Sequence, residues 1–346
     1  MKRDLLSYLV CPGCQIPLGC QATIEHDSDV ETGVLRCTQC GADYPILRGI
    51  PRFVTVERPL SGRNVETASA FGWEWQEFNR LHDLATCQAQ FLDWIYPITP
   101  DFLKGKVVLD AGCGMGRFSV VSSTFGAKMV LAVDASDSVE AAYDNARHYS
   151  NVHVIQANIH HLPLRCSPDG QVDFVFSIGV LHHLDDPQAG FNALVQHLRR
   201  DGTLFAWVYG RENNGWLINA VNPFRTGLTS RLPRRALYAL SWVITAGLYP
   251  VLKLIYRPAN AAGAPGWLHK VLPYNDYLAW LGQFQFRYNH NVVFDHLVAP
   301  VAFYLRREEF EAWFCDAGME IIDLSWRNQN SWRGHGRFAQ TAVRIQ

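Results

Sequence analysis

Residues 107–116, Val-Val-Leu-Asp-Ala-Gly-Cys-Gly-Met-Gly, restrict the fold of this chain more than any other stretch. The apolar run into Asp110 reads as a buried strand, three alternating glycines follow, and a helical pattern starts at Arg117. A strand, a glycine turn and a helix in that order belong to a parallel sheet with crossover helices. Glycines at such a turn let a ligand lie against the backbone, where a Cβ would collide with it. Further strands are expected over 129–133 (ending in Asp134), 152–156, 172–176 and 203–209, with helices over 136–149 and 186–199. Five strands alternating with helices predict an α/β, doubly wound sheet.

The glycine spacing separates two cofactor classes. A dinucleotide fingerprint read from Gly112 needs glycine at 117, where Arg117 stands, and this argues against a nicotinamide dehydrogenase. About twenty residues on, Asp134 ends the next strand, where a carboxylate can accept hydrogen bonds from both ribose hydroxyls. Together, Gly112-Cys113-Gly114-Met115-Gly116, Asp134 and the segment 177–184 resemble the motifs of class I S-adenosylmethionine-dependent methyltransferases. The resemblance covers 104–210 and resumes over 303–346, where a helix (307–317) and strands at 319–325 and 337–344, joined by a loop with Trp326, Trp332 and Arg333, would form the last hairpin. It implies a seven-stranded Rossmann-like sheet and S-adenosylmethionine as cofactor. Its contacts would be Asp110, Ala111, Gly112, Gly114, Gly116, Asp134, Ala135, Asn158, Ile159 and Ser177. Asn158 stands where the family usually carries an aspartate, so its carbonyl would receive the adenine amino group without a charge.

Cys11-Pro-Gly-Cys14 and Cys37-Thr-Gln-Cys40 are two CxxC knuckles 22 residues apart. In a reducing compartment such pairs read as metal ligands rather than disulfides. Four thiolates fill every position of a tetrahedral zinc, which makes the site structural, and a segment this short needs such a staple to fold. Gly13 and Gly41 are expected to shape the turns, and Cys20 reads as a buried thiol outside the ligand set. With Tyr44-Pro45-Ile46 and Gly49-Ile50-Pro51, residues 5–55 resemble the small zinc-binding activator subunit of tRNA and protein methyltransferases. The expected organisation is a zinc ribbon (1–56), a linker and helical segment (57–103) and a methyltransferase domain (104–346) with a cap inserted at 211–302.

The cap should choose the acceptor. From 211 to 257 it carries Arg211, Arg225, Arg231, Arg234, Arg235, Lys253 and Arg257 against Glu212 alone, flanking an apolar run over 236–252 that reads as a helical lid. Membrane-surface docking through 231–257 is a second reading of that run. Aromatic residues, including Trp267, Tyr277, Trp280 and Tyr288, suit a ring-bearing or lipid-like substrate. The segment Phe71-Gly-Trp-Glu-Trp-Gln-Glu-Phe78 either packs between units or caps the cofactor.

Methyl transfer needs an acceptor lone pair held in line with the carbon, and an oxygen or carbon acceptor also needs a base. His183 is the candidate, beside His182, with His290, Asp295 and His296 as others. The expected function is methylation of a small-molecule or lipid-linked metabolite. The alternatives are an rRNA or tRNA methyltransferase that grips RNA with the ribbon and basic patch, and a non-catalytic cofactor-binding scaffold. A net charge of −1 gives no global pull on nucleic acid. The start of the sequence has too short an apolar run for a signal peptide, so a cytoplasmic location is expected, with peripheral membrane contact as a possible addition.

Overall fold

The computed structural model describes residues 1–338 apart from 28, 55–59, 61, 80–82, 167–169 and 263. Its centre is β5 (Val107–Ala111), every residue of which is buried. Val107, Leu109 and Ala111 enter one hydrophobic core and Val108 the other, as the two-residue period of a strand covered on both faces requires. On one side of β5 lie β6 (Met129–Asp134) and then β7 (Val152–Gln156). On the other lie β8 (Val172–Ile178), β9 (Leu198–Tyr209), β11 (Ser331–Phe338) and β10 (Met319–Arg327), in that spatial order. All are parallel except β11, which runs antiparallel to both neighbours. The chain reverses its direction of winding between β6 and β8, on either side of β5. In open α/β sheets the crevice at such a switch point receives the ligand.

β9 starts earlier than its sequence suggested, because Leu198 already pairs with Val172, and the preceding helix (Pro187–Val195) stops correspondingly short. The expected final hairpin is also corrected. Residues 331–336 are strand rather than loop, and β10 turns into β11 at Asn328 and Gln329, with φ of 49° and 52°. Asn330 N–H donates to Arg327 O, and left-handed residues at the two central positions of such a turn match the twist of the strands it joins. Trp326 and Trp332 therefore face each other across the hairpin, rings stacked 5.1 Å apart. The expected strand over 339–344 lies outside the described residues.

The first fifty residues form a second, antiparallel sheet of β1 (Leu18–His26), β2 (Asp29–Cys37), β3 (Asp43–Leu47) and β4 (Ile50–Pro51). It is not separately packed: Leu9, Val30, Leu35, Tyr44 and Ile46 share one core with Ile155, Ala157, Leu162 and Leu164. Polar contacts close the seam. Phe53 N–H donates to Gln156 O at 2.7 Å, Lys2 Nζ reaches Tyr149 O and Val152 O, and Arg52 pairs with Glu140. The expected boundary at 56/57 falls outside the described residues.

In the insertion, helix Arg234–Val251 packs one face, through Leu237, against helix Phe286–Val298 in a cluster with Ala70, Phe78, Phe294 and Leu297. Trp242, Val243 and Leu254 are exposed, and the stretch 234–259 is long and apolar enough to cross a membrane by length and composition. The basic patch loses one member, since Arg225 is buried beside Asp295, Tyr304 and His296.

Candidate active site

A cavity of about 240 Å³ opens at the carboxyl ends of β5, β6 and β8. Its sheet wall is built on the glycine turn after β5. Gly112 and Gly114 line it with φ of 84° and 53°, values that side chains rarely adopt, and a Cβ on Gly112 would lie 2.3 Å from Val180 Cγ2. Asp134 holds this turn together: Oδ2 accepts from Gly114 N–H at 3.0 Å, while Oδ1 accepts from Ser136 N–H and hydroxyl at 2.9 and 2.7 Å. Asp110, Ala135, Asn158 and Ile159 line the same wall. Asn158 Oδ1 accepts from His160 N–H at 3.0 Å and keeps a lone pair and its NH₂ for a ligand. Burial pushes the Asp110 carboxyl up to about 7, although the Ser119 hydroxyl donates to it at 2.6 Å.

Three expected contacts lie outside the lining. Ala111 and Ser177 are joined beneath it, the serine hydroxyl donating to Ala111 O at 2.9 Å, and Gly116 caps the helix Arg117–Thr124 against Ala142.

The opposite wall is made of side chains. Helix Arg63–Glu77 resolves the aromatic segment both ways: Phe71, Glu74 and Trp75 face the cavity, while Trp73 and Phe78 pack on Tyr238 and Phe294. A Cβ on Gly114 would meet the Trp75 indole nitrogen at 2.9 Å, so the two walls touch there. Trp94 and Trp280 sandwich the Arg327 guanidinium, at 4.9 and 4.8 Å, and Arg327 also pairs with Asp93. Tyr209, Tyr277, Tyr288, Asp295, His296 and Tyr304 complete the wall. None of residues 234–251 lines the cavity, so the apolar run is not the lid expected of it; helices Asn275–Leu281 and Phe286–Val298 take that place.

His183 lines the cavity with Nδ1 2.5 Å from Val301 O, and burial pushes it down to about 3. His182 is fully buried against the Tyr209 ring, 4.0 Å away, with neither nitrogen hydrogen-bonded among the described residues. His290 Nε2 meets the Ser241 hydroxyl at 2.8 Å, and His290 is absent from the lining. Glu74, Trp94, Arg327 and Tyr304 were not singled out from sequence. A signal for Glu74 existed in the single acid between two tryptophans, Trp73-Glu74-Trp75.

At the other end of the chain, the Sγ atoms of Cys11, Cys14, Cys37 and Cys40 lie within 4.8 Å of one another. Zinc–sulfur bonds of about 2.3 Å in a tetrahedron place sulfurs about 3.8 Å apart, and Cys11 and Cys40 are separated by 3.8 Å. The donor set fits a zinc ion. The left-handed positions in the knuckles are Gln15 (φ 57°) and Gly41 (φ 73°) rather than Gly13 and Gly41.

Residues 109–206 match the family described as "Methyltransferase domain". This is a class I S-adenosylmethionine-dependent methyltransferase domain. Curated relatives of this chain include two proteins named "tRNA U34 carboxymethyltransferase". One, from Psychromonas ingrahamii, is 28% identical over 46% of this chain and 44% of its own length. The other, from Alteromonas mediterranea, is 36% identical over 42% of this chain and 40% of its own length. The chain spans less than half the length of these relatives. A solved structure of a SAM-dependent methyltransferase from Aquifex aeolicus is 14% identical, covering 75% of this chain and all of its own, with a TM-score of 0.39.

The relatives are named for a nucleic-acid acceptor, which overturns the expectation of a small-molecule or lipid-like acceptor. The lining agrees in its chemistry. Flat rings interleaved with Arg327, Glu74 and Asp295 suit a planar polar heterocycle better than an acyl chain.

Proposed function

We propose that the protein transfers the one-carbon group of S-adenosylmethionine to a nucleobase of tRNA, taken out of its stack into the cavity. The observation that carries this reading is the wall of stacked aromatic and charged side chains directly opposite the cofactor turn. A base swung out of a strand is recognised by ring stacking on its faces and hydrogen bonds on its edge, and Trp94, Trp280, Tyr209 and Arg327 offer both. The tRNA-named relatives support the same acceptor class.

In this reading Asp134 receives the ribose hydroxyls, Asn158 and Ile159 border the adenine, and the backbone of Gly112 and Gly114 borders the rest of the cofactor. S-adenosylmethionine supplies a carbon bonded to a sulfonium, open to in-line displacement. The chain has to orient the acceptor, exclude water and receive a proton where one is released. Cys11, Cys14, Cys37 and Cys40 hold a structural zinc that fixes the ribbon on β7. With Arg225 buried, the outward positive charge of the insertion reduces to residues such as Arg231, Arg235 and Arg257, which are placed to meet phosphates. An RNA acceptor puts the reaction in the cytoplasm.

The test is incubation with methyl-labelled S-adenosylmethionine and host extract separated into tRNA, rRNA, lipid and small-molecule fractions. Nuclease-sensitive label in tRNA is expected. Label confined to another fraction would overturn the acceptor class.

A further inference from the structure

On the side-chain wall, two carboxyl groups face the same space. Glu74 is fully buried in helix Arg63–Glu77 and Asp295 keeps part of its surface open, both lining the cavity. Glu74 Oε1 accepts from the Asn291 amide at 2.6 Å, and Asn291 sits one helical turn before Asp295, which brings the two acids to one place. Glu74 Oε2 has no hydrogen-bond partner among the described residues. Leaving a buried carboxyl oxygen unmatched is unfavourable, and a ligand donor at this spot would remove that cost.

We propose that Glu74 and Asp295 share one proton at the acceptor end of the cavity and that the ionised member takes the proton released by the acceptor during transfer. The pair therefore assigns the acceptor atom as one that carries hydrogen, and for an acceptor that attacks through a lone pair this means a hydroxyl oxygen or an N–H nitrogen, not a ring nitrogen that is alkylated without losing a proton. This rests on the reading of the cavity as the transfer site. The balance is simple: the acceptor's lone pair forms the new bond to carbon, the carbon–sulfur pair stays on sulfur as a thioether, and the acceptor's hydrogen leaves as a proton to the carboxylate.

The surroundings suit such a pair. Burial raises both carboxyls, Asp295 to about 6, and the charge of Asp295 raises Glu74 further, so the pair resists losing its last proton. Asp295 is faced by Tyr209 of β9, whose hydroxyl donates at 3.4 Å, and by buried Arg225 from helix Asn222–Gly227, both of which favour its charge. Tyr277, Tyr304 and His296 stand around the same group, with the tyrosines held neutral and burial lowering the histidine to about 4. A base with a value near 6 is far better matched to neutral pH than His183 near 3.

The experiment is the pH profile of single-turnover transfer on whichever fraction accepts label, with Glu74→Gln and Asp295→Asn beside the wild type. The wild-type rate should rise through about pH 6. Each variant should lose that limb and fall roughly 100-fold or more at pH 7, with S-adenosylmethionine affinity unchanged within about two-fold. A wild-type profile flat from pH 5 to 7, or variants that keep rate and limb, would overturn the proposal. If tRNA takes no label but another fraction does, the function proposed above fails while the profile still tests the pair. Titration of the carboxyl carbons by ¹³C NMR needs neither acceptor nor variant. One carboxyl of the pair still protonated at pH 7 is expected, and both ionised by pH 5 would overturn it.

Discussion

The two walls of the cavity are built on opposite principles. The sheet wall is built around backbone: glycines at positive φ and strand ends carrying the carboxyls of Asp110 and Asp134, the latter tied by three hydrogen bonds. The facing wall presents side chains from helices and from β9 and β10, many of them rings, with ionisable groups held among them. A backbone wall offers the same shape and the same donors whatever packs behind it, which suits an unvarying cofactor. A side-chain wall can be rebuilt residue by residue, which suits the partner that differs from one enzyme to another. The two walls divide the labour between cofactor and acceptor.

The largest effect should come from the support of the sheet wall. Because the ribbon shares its core with Ile155 and Leu162 and is bonded to the edge strand β7, stripping zinc should melt more than the ribbon. Thermal unfolding with a chelator is expected to show one cooperative transition shifted down by more than ten degrees or so, following the stability such sites supply. A ribbon that melts alone, leaving the large domain at its original midpoint, would make the two parts independent. Next, Gly112→Val puts a branched side chain at φ 84° against Val180 and should abolish S-adenosylmethionine binding in a calorimetric titration. Retained binding would mean that the turn is not the cofactor's seat. On the other wall, Trp280→Ala removes one face of the Arg327 sandwich and should slow transfer about 5- to 100-fold, the worth of a lost stacking partner. The smallest effect is expected from Trp326→Ala, which breaks a cross-strand pair at the sheet edge. It should cost about 0.5–1.5 kcal/mol in denaturant unfolding and leave cofactor affinity alone.

The same division decides how much could be read from sequence. Glycine spacing, an acid at a strand end and CxxC pairs are local signals, because the backbone they shape lies within a few residues of them. Gly112, Gly114 and Asp134 line one cavity, and the four cysteines cluster separately in the ribbon. The side-chain wall draws on residues 71–75, 94, 207–209, 277–304 and 327, and no local pattern announces that these converge. Hydrophobicity misled at the cap. The run over 236–252 looked like the lid, yet the helix it forms packs behind helix Phe286–Val298. At the final hairpin the turn residues Asn328 and Gln329 were hidden within an aromatic-rich segment, so a strand was read as a loop. Arg225 looked like surface charge because composition carries no information about which side of a helix faces in.

The central claim is that one wall binds the cofactor and the other selects the acceptor. Its most direct test is equilibrium affinity for S-adenosylmethionine in Asp134→Ala and Trp280→Ala, measured by calorimetry on protein of unchanged melting behaviour. Loss of charge-assisted hydrogen bonds should weaken binding about 10- to 100-fold in the first, with the second within about two-fold of the wild type. Equal losses in both, or a larger loss in Trp280→Ala, would contradict the division of labour.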